Sequence, residues 1–246
     1  MWRIISIPLS LIYYLLFGST LVFFHLLQWI CYHTGGYRAH KWSVDWMCFF
    51  LVANTYILGT RYRFYNRHRL PNNVPLIVVS NHQSFYDIPA IVWFMRRHHI
   101  KFVAKKELGK KIPGISYNLR KGGSVLINRK DPRQALREIR KLGEYIEGTN
   151  RSAVIFPEGT RSQAGSPKPF AESGLKILCK YAPSAYVVPI SVNNAWKMTR
   201  HGTFPMGLGN KLSFTIHTPI AVSSLPFDEL FELVEKQVVD GVIGSK

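Results

Sequence analysis

The sequence predicts an α/β protein: a mixed, largely parallel sheet flanked by helices, with an N-terminal hydrophobic two-helix membrane motif. Three observations carry this. Residues 4–31 contain no Asp, Glu, Lys or Arg. From about residue 65 onward, short β-branched apolar runs alternate with amphipathic helical patterns, the order expected of β-α-β units. Polar clusters recur where predicted strands end, the edge at which such sheets gather functional groups.

The apolar run at 4–31 exceeds the roughly 20 residues that span a bilayer core as a helix. It is too long for a signal peptide, and no A-x-A cleavage site follows it. Trp29 and Tyr32 suit an interface. After the polar stretch HTGGYRAHKWS, residues 44–60 are again mostly apolar, but carry Asp45 and Asn54. The basic run RYRFYNRHR comes next. Two arrangements fit: a transmembrane hairpin, or a hairpin embedded in one leaflet with the arginines at the headgroups. Both leave the remainder of the chain on the side of the N-terminus, and the arginines predict that side to be cytoplasmic. The expected division is therefore a membrane-embedded hairpin over 1–62 and an α/β domain over 63–246.

Within the second part, PLIVVS, IKFVAK, GGSVLINR, SAVI, AYVVPISV and KLSFTIHT read as strands. DIPAIVWFMRRH, ESGLKILCKYAP and PFDELFELVEKQVVDGV read as helices. The clearest helix follows Asp131, with that residue as N-cap, Pro132 at the first helical position, and apolar residues at 136, 139, 142 and 146.

The chain carries 32 basic and 14 acidic residues, a net charge of +18, so its partners are expected to be negative. No zinc-finger spacing, RNP-like aromatic pattern or basic low-complexity tail points to nucleic acid. Charge beside hydrophobic segments points instead to anionic membrane lipids. Cys31, Cys48 and Cys179 have no metal-ligand spacing and read as reduced, buried thiols. No metal site or cofactor is expected.

Three clusters stand at strand ends. In SNHQSFYDIP, His82 and Asp87 are five apart, a spacing that puts them on different faces of a regular helix. A turn before the helix would let the aspartate fold back on the imidazole as the orienter of a base. Strand-to-helix corners are also rich in Asn, Ser and Asp for capping alone, so this pair does not decide by itself. In FPEGTRS, Gly159 permits a tight turn, and Arg161 offers a planar fork for a phosphate; an internal Glu158–Arg161 pair is the plain alternative. The third cluster is Asn128 and Arg129, at the end of GGSVLINR, and Lys105 follows a further short strand.

Taken together and in order, NHQSFYD, GGSVLINR, FPEGTRS and VVPISV resemble the glycerolipid acyltransferase superfamily, and among its branches the bacterial 1-acyl-sn-glycerol-3-phosphate acyltransferases. The resemblance covers about residues 65–220, and the N-terminal segments are similar to the two-helix motif of bacterial members. It implies His82 as general base on a glycerol hydroxyl and Asp87 as its orienter. It implies Glu158, Gly159, Thr160 and Arg161 as acceptor-binding residues, with Arg161 on the phosphate and Arg129 and Lys105 completing that site. Pro189 falls in the block linked to the acyl donor. Asn128 departs from the aspartate often found before the arginine of the second block, which puts a local salt bridge in doubt and not Arg129.

The implied reaction moves a fatty acyl group from acyl-CoA or acyl-acyl carrier protein to the sn-2 hydroxyl of lysophosphatidic acid, forming phosphatidic acid. The implied location is the bacterial inner membrane, with the catalytic domain facing the cytoplasm. A sister activity on glycerol-3-phosphate, a lyso-ornithine lipid or another lysophospholipid shares these motifs. A non-catalytic basic membrane-binding protein would have no need of the four polar residues His82, Asp87, Glu158 and Arg161. A hydrolase built on Ser84 lacks the G-x-S-x-G elbow.

Overall fold

The structure, a computed structural model, describes residues 2–162 and 164–243. Helix α1 (Trp2–Asn54) is broken once, at Gly36, whose φ of 59° and ψ of −147° no L-residue adopts readily. The chain folds back there into two antiparallel arms. Asn54 donates to Thr20 Oγ1 at 2.9 Å, and the rings of Phe24 and Phe50 meet at 5.7 Å. The helix runs through the polar stretch that the sequence reading left between two separate segments.

Along the rest of the chain come β1 (Arg61–Asn66), β2 (Leu76–Ser80), α2 (Asp87–Phe94), β3 (Ile100–Lys105), α3 (Leu108–Lys111) and α4 (Ile115–Lys121). They are followed by β4 (Val125–Ile127), α5 (Pro132–Thr149), β5 (Ser152–Ile155), α6 (Glu172–Tyr181), β6 (Tyr186–Asn193), β7 (Lys211–Ile216), β8 (Ile220–Ala221) and α7 (Phe227–Asp240). The sheet order is β1-β7-β6-β2-β5-β3-β4, with β8 beside β6. Pairs among β2, β3, β4, β5 and β6 are parallel, as is β1 with β7. β7 and β8 run antiparallel to β6, which makes the sheet mixed and largely parallel as the alternation predicts.

Strand periodicity divides the core in two. From β2, Leu76 and Val78 point into the cluster shared with the α1 hairpin and α2. Ile77 and Val79 point to the other face, against Ile139, Leu142 and Ile146 of α5, Leu175 and Leu178 of α6, and Val234 and Val238 of α7. All five β2 residues are buried, as expected of a central parallel strand. Asp131 caps α5 as expected, accepting from the Gln134 N–H at 3.0 Å.

The hairpin is a full layer of this core. It touches the α/β body along its length: Ser6 on the Met206 carbonyl, Tyr13 on Tyr86, His25 accepting from the Gly114 N–H, and Phe49 on Trp93 with ring centroids 4.7 Å apart. Its outer face is apolar and uncovered. Leu15 is 70% exposed, and Leu11, Phe23, Leu26 and Trp29 each exceed half. By length and composition α1 can cross a membrane.

The basic run after residue 60 forms β1, a strand the sequence reading did not assign. Its residues alternate: Arg61 and Arg63 face out, while Tyr62 and Phe64 stack on Phe214 of β7. Cys31 is half-buried rather than buried.

Gly114 packs closely against both arms of the hairpin. It has φ of +69°, and a Cβ there would stand 2.9 Å from Met47 Sδ and 3.2 Å from the Leu21 carbonyl oxygen. Gly114→Val is expected to destabilise the protein by about 1–2 kcal/mol from the left-handed backbone alone, with the clash adding to it. A lower thermal midpoint and faster proteolysis of the hairpin arms are the measurements.

Candidate active site

β2 delivers Ser80 to the sheet's carboxyl edge, and the chain turns through residues 81–86 before α2 starts at Asp87. Asn81 fixes the turn to β6, donating to the Val192 carbonyl at 2.9 Å and accepting from its N–H at 2.7 Å. Asp87, in the first turn of α2, folds its carboxylate back over the turn. Its Oδ2 accepts from the Gln83 and Ser84 N–H groups, both at 2.8 Å, and from His82 Nδ1 at 2.9 Å. The helix N-terminus favours the negative charge at this position. The Asp87 side chain is fully buried and that of His82 is 14% exposed. Because the carboxylate accepts, Nδ1 carries a proton, and in the neutral imidazole Nε2 has the free lone pair.

The second cluster holds the histidine from the opposite side. Phe156 stacks on the imidazole with centroids 4.2 Å apart and planes 19° apart. Glu158 Oε1 accepts from the His82 backbone N–H at 2.7 Å, and Oε2 from the Lys168 N–H at 2.9 Å. Both oxygens are thus engaged with backbone, and no Glu158–Arg161 ion pair forms among the described residues. Burial pushes the Glu158 carboxyl up from its ordinary value, while the two N–H groups pull the other way. Ser162 donates its N–H to the His82 carbonyl at 2.7 Å. Gly159 makes the turn at φ of +67°, and Thr160 and Arg161 stand exposed beyond it.

His82 opens on a cavity of about 600 Å³. Its wall is apolar over most of its extent, from Met47 and Leu51 of the hairpin to Leu119, Leu136 and Ile139. Gly159, Lys105 and Arg129 also line it. Lys105 sits 3.6 Å from Glu107. Asn128, in place of the acid, accepts from the Lys130 N–H at 3.1 Å and makes a local turn. Pro189 pairs with Val79 in the centre of the sheet, where its missing N–H is tolerated because the antiparallel partners of β6 are interrupted between residues 216 and 220.

Of the residues expected at the site, His82 and Asp87 are joined directly, Lys105, Arg129 and Gly159 line one cavity with His82, and Glu158 braces the histidine backbone. Sequence reasoning did not anticipate the Phe156 stack, the Ser162 bonds or Gln83, which bridges the Gly165 carbonyl and the Ala195 N–H. Each depends on residues far apart in the chain.

A family profile described as acyltransferase matches residues 61–193. The chain belongs to the acyltransferase family. Within that family, it is 31% identical over 149 residues to the chloroplastic 1-acyl-sn-glycerol-3-phosphate acyltransferase BAT2 of Brassica napus, covering 61% of this chain and 42% of that one. It is 29% identical over 169 residues to the 1-acyl-sn-glycerol-3-phosphate acyltransferase of Helicobacter pylori, covering 65% and 67%. The match to the beta form of that enzyme in Homo sapiens is 31% over 143 residues, covering 58% and 50%. The chain therefore spans about half the length of the first curated relatives it matches. The crystal structure of the 1-acyl-sn-glycerophosphate acyltransferase of Thermotoga maritima superposes with a TM-score of 0.78 at 25% identity, covering 98% of this chain and 96% of that one.

Glu158→Gln retains shape but turns one oxygen into a donor. Either the His82 or the Lys168 N–H then loses its acceptor, at a cost of about 1–3 kcal/mol. Faster amide exchange at one of these two positions, with slower exchange sites in α5 unchanged, is the expected result.

Proposed function

We propose that this protein transfers a fatty acyl group from an acyl thioester to the sn-2 hydroxyl of 1-acyl-sn-glycerol-3-phosphate, forming phosphatidic acid. The observation that carries the reading is the oriented His82–Asp87 pair opening on a large apolar cavity edged by Lys105 and Arg129. The names of the relatives support the acceptor and leave the donor open between acyl-CoA and acyl-acyl carrier protein.

In this reading the acyl chain lies in the apolar cavity, where each buried methylene contributes about 0.8 kcal/mol. The phosphate of the acceptor meets Arg129 and Lys105 at the mouth, with Arg161 reaching in from its exposed position. His82 Nε2 takes the hydroxyl proton as the oxygen attacks the thioester carbonyl. Asp87 stabilises the imidazolium that results. The tetrahedral intermediate collapses with loss of the thiolate, which receives the proton from the imidazolium. Such general-base catalysis contributes roughly 10²–10⁴-fold. No covalent acyl-enzyme is needed, since the thioester already provides a good leaving group. Cys48 lines the cavity but is not within the His82 motif.

The hairpin over residues 1–62 is the proposed membrane-embedded part, and 63–246 the acyltransferase domain. Two features support insertion in one leaflet over a transmembrane hairpin: the arms pack on the body from Ser6 to Phe49, and the uncovered apolar face runs along the outside of the first arm. Anionic lipids then meet the basic surface, and a bacterial inner membrane with the domain on the cytoplasmic side fits this arrangement.

The test is an acyl-transfer assay in detergent or lipid, with both donor types and a panel of acceptors. Transfer to lysophosphatidic acid that falls at least 10²-fold in His82→Ala, with folding intact, is expected. Transfer only to glycerol-3-phosphate, a lyso-ornithine lipid or lysophosphatidylcholine would move the protein to a sister activity. Arg161→Ala is expected to raise the KM for a phosphate-bearing acceptor more than it lowers kcat; an unchanged KM removes Arg161 from the phosphate site.

A further inference from the structure

The bend of the hairpin closes over a second, much smaller hollow of about 20 Å³, lined by His40, Lys41, Asp45, Arg96, Lys101 and Asn118 among others. That is room for one occupant of about water size. Lys101 lies near the start of β3 and pairs with Ala153 of β5. The hollow is therefore at the amino end of the parallel strands, remote from the His82 corner at their carboxyl end.

Charge around this hollow does not balance. Asp45 is the one carboxylate that lines it, and it is taken by Lys41, which also donates to the Arg96 carbonyl at 2.5 Å. Lys101 is 4% exposed, and among the described residues no carboxylate pairs with it. Its Nζ lies 4.8 Å from the centroid of the Tyr37 ring, which also receives the Arg151 guanidinium at 3.6 Å. Arg96 adds a further positive charge to the wall. His40 is 1% exposed, and its Nε2 is buried without a hydrogen-bond partner. A buried ammonium whose nearest carboxylate, Asp45, is already engaged by another cation is costly. Burial, Arg151 and Lys41 pull the Lys101 pKa down to about 7, against an opposing pull from the Asp45 carboxylate.

The geometry points to a buried site for one halide-sized inorganic monoanion, chloride under ordinary conditions, held beneath the hairpin bend between the Lys101 ammonium and the unpartnered Nε2 of His40, in the tautomer that carries its proton there. A water molecule fits the volume but brings no charge. A tetrahedral oxyanion or a lipid headgroup is too large for the hollow. The anion ties the second arm of α1 to β3 and clamps the bend onto the sheet.

The test uses the full chain in detergent, melted in sodium chloride, bromide or gluconate at equal ionic strength. The midpoint is expected to rise saturably with chloride and bromide but not with gluconate, and Lys101→Met is expected to lose this anion dependence. Crystals soaked in bromide are expected to show an anomalous peak in the hollow. Should the variant fail to fold, the wild-type salt series and the bromide map decide. Equal melting in the three salts, or a bromide map with no peak at the hollow, overturns the assignment. Neither measurement depends on the acyl-transfer reading.

Discussion

One carboxylate oxygen organises the site. Asp87 Oδ2 gathers the backbone N–H groups of residues 83 and 84 and the Nδ1–H of His82. A buried carboxylate is tolerable only with such partners, so the turn, the start of α2 and the imidazole orientation form one unit. The same constraint explains the five-residue spacing. The aspartate has to begin the helix, and the histidine has to precede the turn, for one oxygen to reach all three donors. Asp87 Oδ1, in contrast, is buried without a partner among the described residues.

Glu158 repeats the device from the other side. Its oxygens accept from the backbone of His82 and of Lys168, so the loop after β5 is bolted to the histidine. Phe156 presses on the imidazole face from the same loop. Two acidic residues from two motifs thus use their hydrogen-bonding capacity on positioning, while Arg129 lines the cavity and Lys105, also on its wall, sits beside Glu107. The rigidity of this corner comes from neighbouring parallel strands, β2 and β5, which end side by side.

The hairpin has a double part in the architecture. Met47 and Leu51 of its second arm wall the cavity that contains His82, while the first arm presents its uncovered apolar face outward. Removing the hairpin would uncover the residues of the α2 region packed against it, Tyr86 and Trp93 among them. It is therefore part of the fold, whatever medium its outer face meets.

Much of this was legible in the residues. Alternation of apolar strands with amphipathic helices determined the α/β class, the capped helix after Asp131 determined α5, and uncharged residues 4–31 determined a long apolar helix, because all three are local patterns with a fixed period. Motif chemistry pointed to His82 and Asp87 by residue type. The strand β1 was hidden by its arginines, although its period-two alternation was present in RYRF. Only the tertiary structure decided the antiparallel turn of β7 and β8, the use of Glu158 as a backbone clamp, the stacking of Phe156 and the hairpin's place in the cavity wall. Those features join residues tens of positions apart, and sequence periodicity carries no information about which distant donor a carboxylate will meet.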